Sequence, residues 1–130
     1  MQANWWAVLT AAVSAFVLGG IWNGPLFKHA WCREAGVDPD AKPAGHPARV
    51  FGTAFVAALL SAVCFAWWLG PAPDLHRALH DGLLVGFGFV AMSFAINYSF
   101  AQRSLKLWLI DGGYHTLQFV LYGLILGLWR

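Results

Sequence analysis

The chain has 130 residues, of which 59% are hydrophobic and only 11% are charged. Soluble domains usually carry about 25% charged residues, so this composition is typical of an integral membrane protein. The length leaves room for one domain. A formal net charge of +2, without any basic tract, argues against a nucleic-acid partner.

Four apolar segments are long enough to cross a bilayer, which takes about 17–25 residues. They cover residues 5–22, 48–69, 79–101 and 105–128. Helices satisfy their own backbone hydrogen bonds in lipid, so the sequence predicts an all-α membrane protein built as a four-helix bundle. Residues 1–130 then form a single transmembrane domain.

The links between the segments differ in length and composition. Gly24-Pro25 is expected to end the first helix, because proline cannot continue it. Leu26–Ala35 is predicted to be a short helix at the membrane interface, inside a longer loop that covers residues 25–47. The link at residues 102–106 is so short that the last two helices must be antiparallel neighbours.

Lysine and arginine are distributed unequally between the two sides of the predicted bundle. Six of the eight fall in or beside the first and third links. The positive-inside rule therefore places the loop at 25–47 in the cytoplasm and both termini outside. The eight tryptophans lie near helix ends, where they would form interfacial belts. The cytoplasmic belt would consist of Trp22, Trp31 and Trp108.

Small residues recur every four positions on all four segments, and such stripes let helix backbones approach closely. They comprise the pairs Gly20–Gly24, Gly82–Gly86 and Gly123–Gly127 and the alanines Ala54, Ala58, Ala62 and Ala66. The stripes could serve packing within one chain or contact with another. Besides the lipid bilayer, the expected partners are a homo-oligomer or another membrane protein.

The last segment carries an unusual set of polar residues. Asp111 and His115 lie four residues apart, and thus on one helix face, and Gln118 and Tyr122 continue the same stripe. An ionised aspartate near the centre of a spanning helix costs about 2.5–3.5 kcal/mol on insertion scales. We therefore expect this stripe to face other helices rather than lipid.

Polar residues on two neighbouring helices fall at matching depths. Asn97 is expected level with Asp111, and Ser93 level with His115, while Asn23 ends the first helix on the same side. The sequence therefore predicts a buried polar pocket in the cytoplasmic half of the bundle.

Three functions fit this pattern. A coupled carboxylate and imidazole can exchange protons near neutral pH, which favours proton-coupled transport or the binding of a small polar ligand or ion. Alternatively, Asp111 pairs with His115 or Arg103 and fixes helix register in a structural or accessory subunit. The third function is a small membrane enzyme or cofactor binder using His115. Without a hydrolase or nucleotide-binding motif, catalysis is the less expected reading, and the sequence specifies neither a catalytic residue nor a cofactor.

Histidines at the outer end raise the question of a metal site. His76 and His80 lie four residues apart and could bind one ion together, but a zinc site takes at least three protein ligands. Weaker candidates lie in the cytoplasmic loop: His29, Cys32 and His46.

Two stretches resemble a known family. Residues 19–27 read GGIWNGPLF, and residues 107–129 read LWLIDGGYHTLQFVLYGLILGLW. Together with Asn4-Trp5, they resemble DUF1761, a bacterial family of small membrane proteins. The resemblance implies a four-helix protein of the bacterial inner membrane and supplies no activity, cofactor or catalytic residue. Members often have tyrosine at the position of Asn23.

Overall fold

The computed structural model describes residues 4–38 and 47–129 of the chain. All the regular elements in this part are helical, and two of the helices contain π-helical segments. The elements are α1 (Trp5–Ile21), a first π segment (Trp22–Leu26), α2 (Lys28–Ala35), α3 (Pro47–Leu69), α4 (Leu75–Leu83), a second π segment (Leu84–Ala91), α5 (Met92–Phe100) and α6 (Leu105–Leu128). The second π segment joins α4 and α5 without a break.

Three helices of the described chain are long and apolar enough to cross a membrane: Trp5–Leu26, Ala48–Leu69 and Leu75–Phe100. They give the chain the character of an integral membrane protein. Of the four spans predicted, α6 does not belong to this group. Its 24 residues would extend roughly 36 Å, but polar residues such as Asp111 and His115 make it less apolar than the other three.

Pro25 does not end the first helix, and this prediction was wrong. The chain continues through it as the first π segment, in which the Phe27 N–H donates to the Trp22 carbonyl at 2.9 Å across five residues. In an α-helix, a proline ring clashes with the carbonyl four residues earlier. The wider π turn accommodates the ring, so the helix runs on to Leu26.

The turn between α3 and α4 is held by two side chains. The Asp74 carboxylate caps α4 by accepting a 3.2 Å hydrogen bond from the backbone N–H of Arg77. The Arg77 guanidinium donates to the carbonyl of Leu69, at the end of α3, at 3.1 Å. Because of the cap, α4 begins at Leu75, four residues before the predicted start of the third span.

Alanines of α1 and α3 are buried in the core of the bundle. Those on α1 are completely buried, and three of the four in the predicted α3 stripe are buried as well. The buried alanines are Ala7, Ala11, Ala12 and Ala15 of α1 and Ala58, Ala62 and Ala66 of α3. This stripe therefore serves packing within one chain, with the exposed Ala54 as its exception.

The rod formed by α4 and the second π segment packs closely against α6. A Cβ atom placed on Gly123 would lie 2.2 Å from the carbonyl oxygen of Ala78, and one on Gly82 would lie 2.4 Å from that of Phe119. Only glycine allows backbones to approach this closely. Because α6 also contacts α1, α2, α3 and α5, it is the central helix of the described bundle.

The two ends of the bundle are each held by a long-range hydrogen bond. At one end, Asn4 Nδ2 donates to the carbonyl of Trp129 at 3.0 Å; we call this the terminal end. At the opposite end, which we call the α2 end, Arg103 Nη1 donates to the carbonyl of Ala35 at 3.2 Å. The helix α2 lies within the segment predicted to be interfacial. Residues 39–46 of the loop, including His46, lie outside the described residues.

Candidate functional site

The carboxylate of Asp111 accepts hydrogen bonds from two other helices. Trp31 Nε1 of α2 donates to Oδ1 at 3.0 Å, and the hydroxyl of Tyr98 on α5 donates to Oδ2. An ionised carboxylate has only acceptors, and here each oxygen has its own donor. The arrangement joins α2, α5 and α6 through one half-buried side chain.

The predicted buried pocket around Asp111 and His115 is absent from the described chain. No hydrogen bond or ion pair there joins the two side chains, although they share a helix face. Aromatic rings occupy the space instead. Phe94 stacks on the His115 ring, with 5.0 Å between centroids and 15° between planes, while Trp31 and Tyr98 surround Asp111.

The sequence led us to expect that Ser93 and Asn97 face α6, and this prediction was wrong. Both are exposed, and Ser93 Oγ donates only to the carbonyl of Phe89 in its own helix, at 2.7 Å. The residues one position further along, Phe94 and Tyr98, make the contacts with α6. Depth alone could not reveal this, because the second π segment widens the turns just before α5 and changes which residues face inward.

Asn23 is also exposed and lies away from Asp111. It lines an open cavity of about 450 Å³ between α1 and α3, whose wall includes Gly20, Gly24, Phe51 and Tyr114. The polar residues predicted to share one pocket are therefore divided among four places: the Asp111 contact, the outer face of α5, this cavity and a separate network that contains His115.

A second polar network does run along the predicted stripe of α6. The imidazole Nδ1 of His115 lies 2.6 Å from Gln118 Oε1, and Gln118 Nε2 donates to the Tyr122 hydroxyl at 2.9 Å. Tyr122 is completely buried and donates to the carbonyl of Ala58 at 2.8 Å. The Ser61 hydroxyl of α3 lies 3.1 Å from that of Tyr122. The network connects α6 to α3.

The direction of these bonds fixes the tautomer of His115. A carbonyl can only accept, so Tyr122 uses its one hydrogen for Ala58 and must accept from Gln118. The amide oxygen of Gln118 then faces His115, whose Nδ1 must carry a proton. The opposite nitrogen, Nε2, makes no hydrogen bond with the described residues and is not fully buried, since they contain no buried side-chain nitrogen or oxygen without a partner.

The tryptophans predicted for the cytoplasmic interface make internal hydrogen bonds. Besides the bond from Trp31, Trp22 Nε1 donates to the carbonyl of Ile110 and Trp108 Nε1 to that of Ala91, each at 2.8 Å. Indole N–H groups need a partner when they leave water, and here the partner is protein. The tryptophans at the terminal end are exposed, as a lipid-facing belt requires: Trp5, Trp6, Trp67, Trp68 and Trp129.

Each residue of the Asp-Gly-Gly-Tyr-His segment makes its own contact. A Cβ on Gly113 would lie 3.2 Å from the ring of Trp22, and one on Gly112 would lie 3.4 Å from both Ala91 and Trp108. The hydroxyl of Tyr114 donates to the Ala15 carbonyl at 2.9 Å. The two stretches that carry the family resemblance thus contact one another through Trp22 and Gly113.

One of the two histidines at the terminal end, His80, belongs to an ion-pair cluster. Asp81 is its centre: His80 Nδ1 lies 3.2 Å from Oδ1, while Arg77 Nε at 3.5 Å and Trp68 Nε1 at 3.2 Å approach Oδ2. No group of three metal-ligating side chains occurs among the described residues, so His76 and His80 lack a third ligand there.

Sequence reasoning missed three residues that hold the site together: Trp31, Tyr98 and Ser61. The need of an indole N–H for a partner was a usable signal for Trp31, because its short helix was predicted at the same end of the bundle as Asp111, the only aspartate in the last segment. For Tyr98 and Ser61, the choice of facing residue depends on helix rotation, which a single sequence does not specify.

Comparisons with known proteins identify a family for the chain. No match was found among curated proteins or among solved structures. A family match covers nearly the whole chain, including both contacting stretches. The chain belongs to the protein family of unknown function DUF1761, whose family model matches residues 6–127.

Proposed function

We propose that the chain crosses the membrane four times, with α6 as a shielded central span. Three apolar helices supply the lipid-facing surface, and α6 is long enough to cross between them. The hydrogen bond from Asn4 to the carbonyl of Trp129 supports an even number of crossings, because it brings both chain ends to one end of the bundle.

Reporter fusions test this topology. By the positive-inside rule, we expect both ends to lie outside the cytoplasmic membrane of a bacterial host. Alkaline phosphatase, which is active only outside, should be active on either end, and green fluorescent protein, which fluoresces inside, should be dark on both. Opposite results at the two ends would exclude four crossings.

We further propose that the protein is a non-catalytic accessory component that docks another membrane protein chain. The observation that carries this proposal is the pair of hydrogen bonds at Asp111. Each carboxylate oxygen accepts from a side chain on a different helix, α2 or α5. A charge held between α2 and α5 fixes the arrangement of these helices, which suits a rigid docking module better than a pathway for ions.

The docking face that we propose is the cavity between α1 and α3. Gly20 and Gly24 line it, and a Cβ on either would meet no atom within 4 Å, in contrast to the tightly packed glycines of α4 and α6. Small residues beside open space let a second helix approach closely. We propose a second copy of this chain as the occupant, in keeping with the expected homo-oligomer.

Substitution at Gly20 tests the docking face. Gly20→Leu would extend a side chain into the cavity from a position where a Cβ meets no atom within 4 Å, so we expect the thermal unfolding midpoint in detergent to stay close to that of the wild type while the oligomer dissociates in native mass spectrometry. Val13→Leu, an exposed substitution on α1 outside the cavity lining, is the matched control. An oligomer unchanged by Gly20→Leu, or a strictly monomeric wild type, would contradict this docking face.

Proton or polar-ligand handling at His115 is the second candidate. One observation favours it: Nε2 is not fully buried, and the network leads from His115 through Gln118 to Tyr122. In liposomes with a trapped pH dye, this candidate predicts a proton flux that His115→Phe abolishes without unfolding the protein. The accessory function predicts no flux from the wild type.

A further inference from the structure

An apolar cleft opens between α3 and the rod of α4 and the second π segment. Its volume is about 470 Å³, within the range of about 300–1,000 Å³ usual for ligand sites. The walls comprise Ser61, Cys64, Phe65 and Trp68 of α3 and Leu84, Val85 and Phe89 of the rod, and Phe119 of α6 forms its floor. From Ser61 to Trp68 the cleft extends roughly 10 Å along α3.

The cleft opens sideways, towards the medium around the bundle. Cys64, Trp68, Leu84 and Phe89 line it and are exposed, and they belong to two of the helices that are apolar enough to cross a membrane. In a membrane, the acyl chains of the surrounding lipids would contact this opening. The cleft is therefore suited to an extended acyl chain.

Charged side chains lie at the outer end of the cleft. Trp68 lines it and donates to Asp81, which also pairs with Arg77 and His80. The side chains of Arg77 and His80 are 52% and 69% exposed, and the guanidinium of Arg77 keeps N–H donors beyond those that face Leu69 and Asp81. Arginine binds phosphate oxygens well because its planar guanidinium offers several donors.

We infer that each chain holds one phospholipid at the terminal end, with an acyl chain in this cleft and the phosphate beside Arg77 and His80. The inference goes beyond the docking function, which concerns a separate cavity nearer the start of α3, lined there by Phe51, Ala54 and Ala58. A hydrocarbon chain gains little by leaving bulk lipid for an apolar cleft, since both are equally apolar. Contacts with the headgroup should therefore decide which lipid stays bound.

Native mass spectrometry with two defined lipids tests this. The probes are dioleoylphosphatidylglycerol and dioleoylglycerol, which have the same chains and differ in the phosphate headgroup. We expect one phosphatidylglycerol per chain to remain bound to the wild type at collision energies that remove dioleoylglycerol. Equal retention of the two probes would overturn the headgroup assignment.

Filling the cleft should displace the lipid. Cys64→Trp adds a large ring inside it, and we expect at least a tenfold loss of bound phosphatidylglycerol, whereas Cys64→Ala should retain it. Leu60→Trp places the same ring on an exposed position of α3 outside the cleft lining. Undiminished binding in a folded Cys64→Trp variant would overturn the site.

The headgroup contact is tested at Arg77. Arg77→Gln should lower phosphatidylglycerol retention severalfold, and Arg77→Lys should restore part of it by keeping the charge. Arg49→Gln removes an exposed arginine from the opposite end of α3 and should change nothing. Equal loss in Arg77→Gln and Arg49→Gln would mean that the lipid is held by charge in general, against this site.

The outcomes for the cleft and for the docking function remain separable. The cleft variants are scored on retained lipid mass, and the Gly20 variant is scored on oligomer mass. If a partner helix covers the cleft instead, the wild type will retain no lipid, and Cys64→Trp will dissociate the oligomer. That result would overturn the lipid site, and the reporter fusions would still decide the number of crossings.

Discussion

The indole nitrogen of Trp31 donates a hydrogen bond of 3.0 Å to Oδ1 of Asp111, so that a short helix outside the main bundle is joined to its central helix. Tyr98 occupies the other carboxylate oxygen from the opposite side. Hydrogen bonds to charged groups contribute more to folding stability than hydrogen bonds between neutral groups. A buried charge that loses its partners is strongly destabilising. The stability of this arrangement should therefore depend on the aromatic donors as much as on Asp111 itself.

Removing either donor tests this dependence. We expect Trp31→Phe and Tyr98→Phe each to lower the free energy of unfolding in detergent by about 1.5–3 kcal/mol, because each removes one bond to the carboxylate. Adding Asp111→Asn to either single variant should recover part of the lost stability, since no carboxylate charge is then left without a donor. A wild-type unfolding midpoint in both single variants would show that these bonds contribute nothing.

The tryptophans can be compared by matched substitutions. Trp108→Phe leaves the Ala91 carbonyl without its indole donor, so we expect a loss of about 1 kcal/mol in unfolding free energy. Trp67→Phe alters a ring that is 69% exposed and should change the unfolding free energy by less than about 0.5 kcal/mol. Equal losses in the two variants, measured by thermal unfolding in detergent, would contradict the structural role of Trp108.

Glycine substitutions should separate packed positions from open ones. Gly123→Ala forces a Cβ against the backbone of Ala78, and such overpacking costs about 1–3 kcal/mol or more. Gly20→Ala meets open space and should be neutral or raise stability by up to about 1 kcal/mol, because alanine favours the helix. The measurement is the midpoint of thermal unfolding. A stable Gly123→Ala variant would disprove the close approach of α4 and α6.

Two serines test which polar network contributes to stability. Ser61→Ala removes the hydroxyl that contacts Tyr122 and Gln118, and we expect a loss of about 1 kcal/mol in unfolding free energy. Ser93→Ala removes a hydroxyl bonded only within its own helix and should be neutral. If Ser93→Ala proved the more damaging, the polar pocket first expected at Ser93 would have to be reconsidered.

Much of the architecture could be predicted from hydropathy alone, because apolar segments of spanning length have few alternatives to a helix in lipid. The glycine pairs of α4 and α6 also pack as such spacing suggests. Pro25 was misjudged because its usual effect applies to an α-helix, and this helix changes to a π turn at that position. The number of crossings was the least secure inference, since the most central helix is also the least apolar.

The site was harder to predict for a physical reason. Spacings of three and four residues correctly grouped His115, Gln118 and Tyr122, which hydrogen-bond along one helix face. The same spacing does not say how neighbouring helices are rotated, so Tyr98 rather than Asn97 faces Asp111. It also does not say that the indole of Trp31, from a segment predicted to lie at the interface, would reach the carboxylate.

The composition of α6 has a consequence for how the chain enters the membrane. Alone in lipid, Asp111 would oppose insertion by about 2.5–3.5 kcal/mol, yet its two donors lie on α2 and α5, which the ribosome makes first. We therefore expect the isolated segment of residues 105–128 to be inserted poorly by the translocon, and to be inserted efficiently once the preceding helices are present. The order of synthesis thus supplies the partners before the charge that needs them.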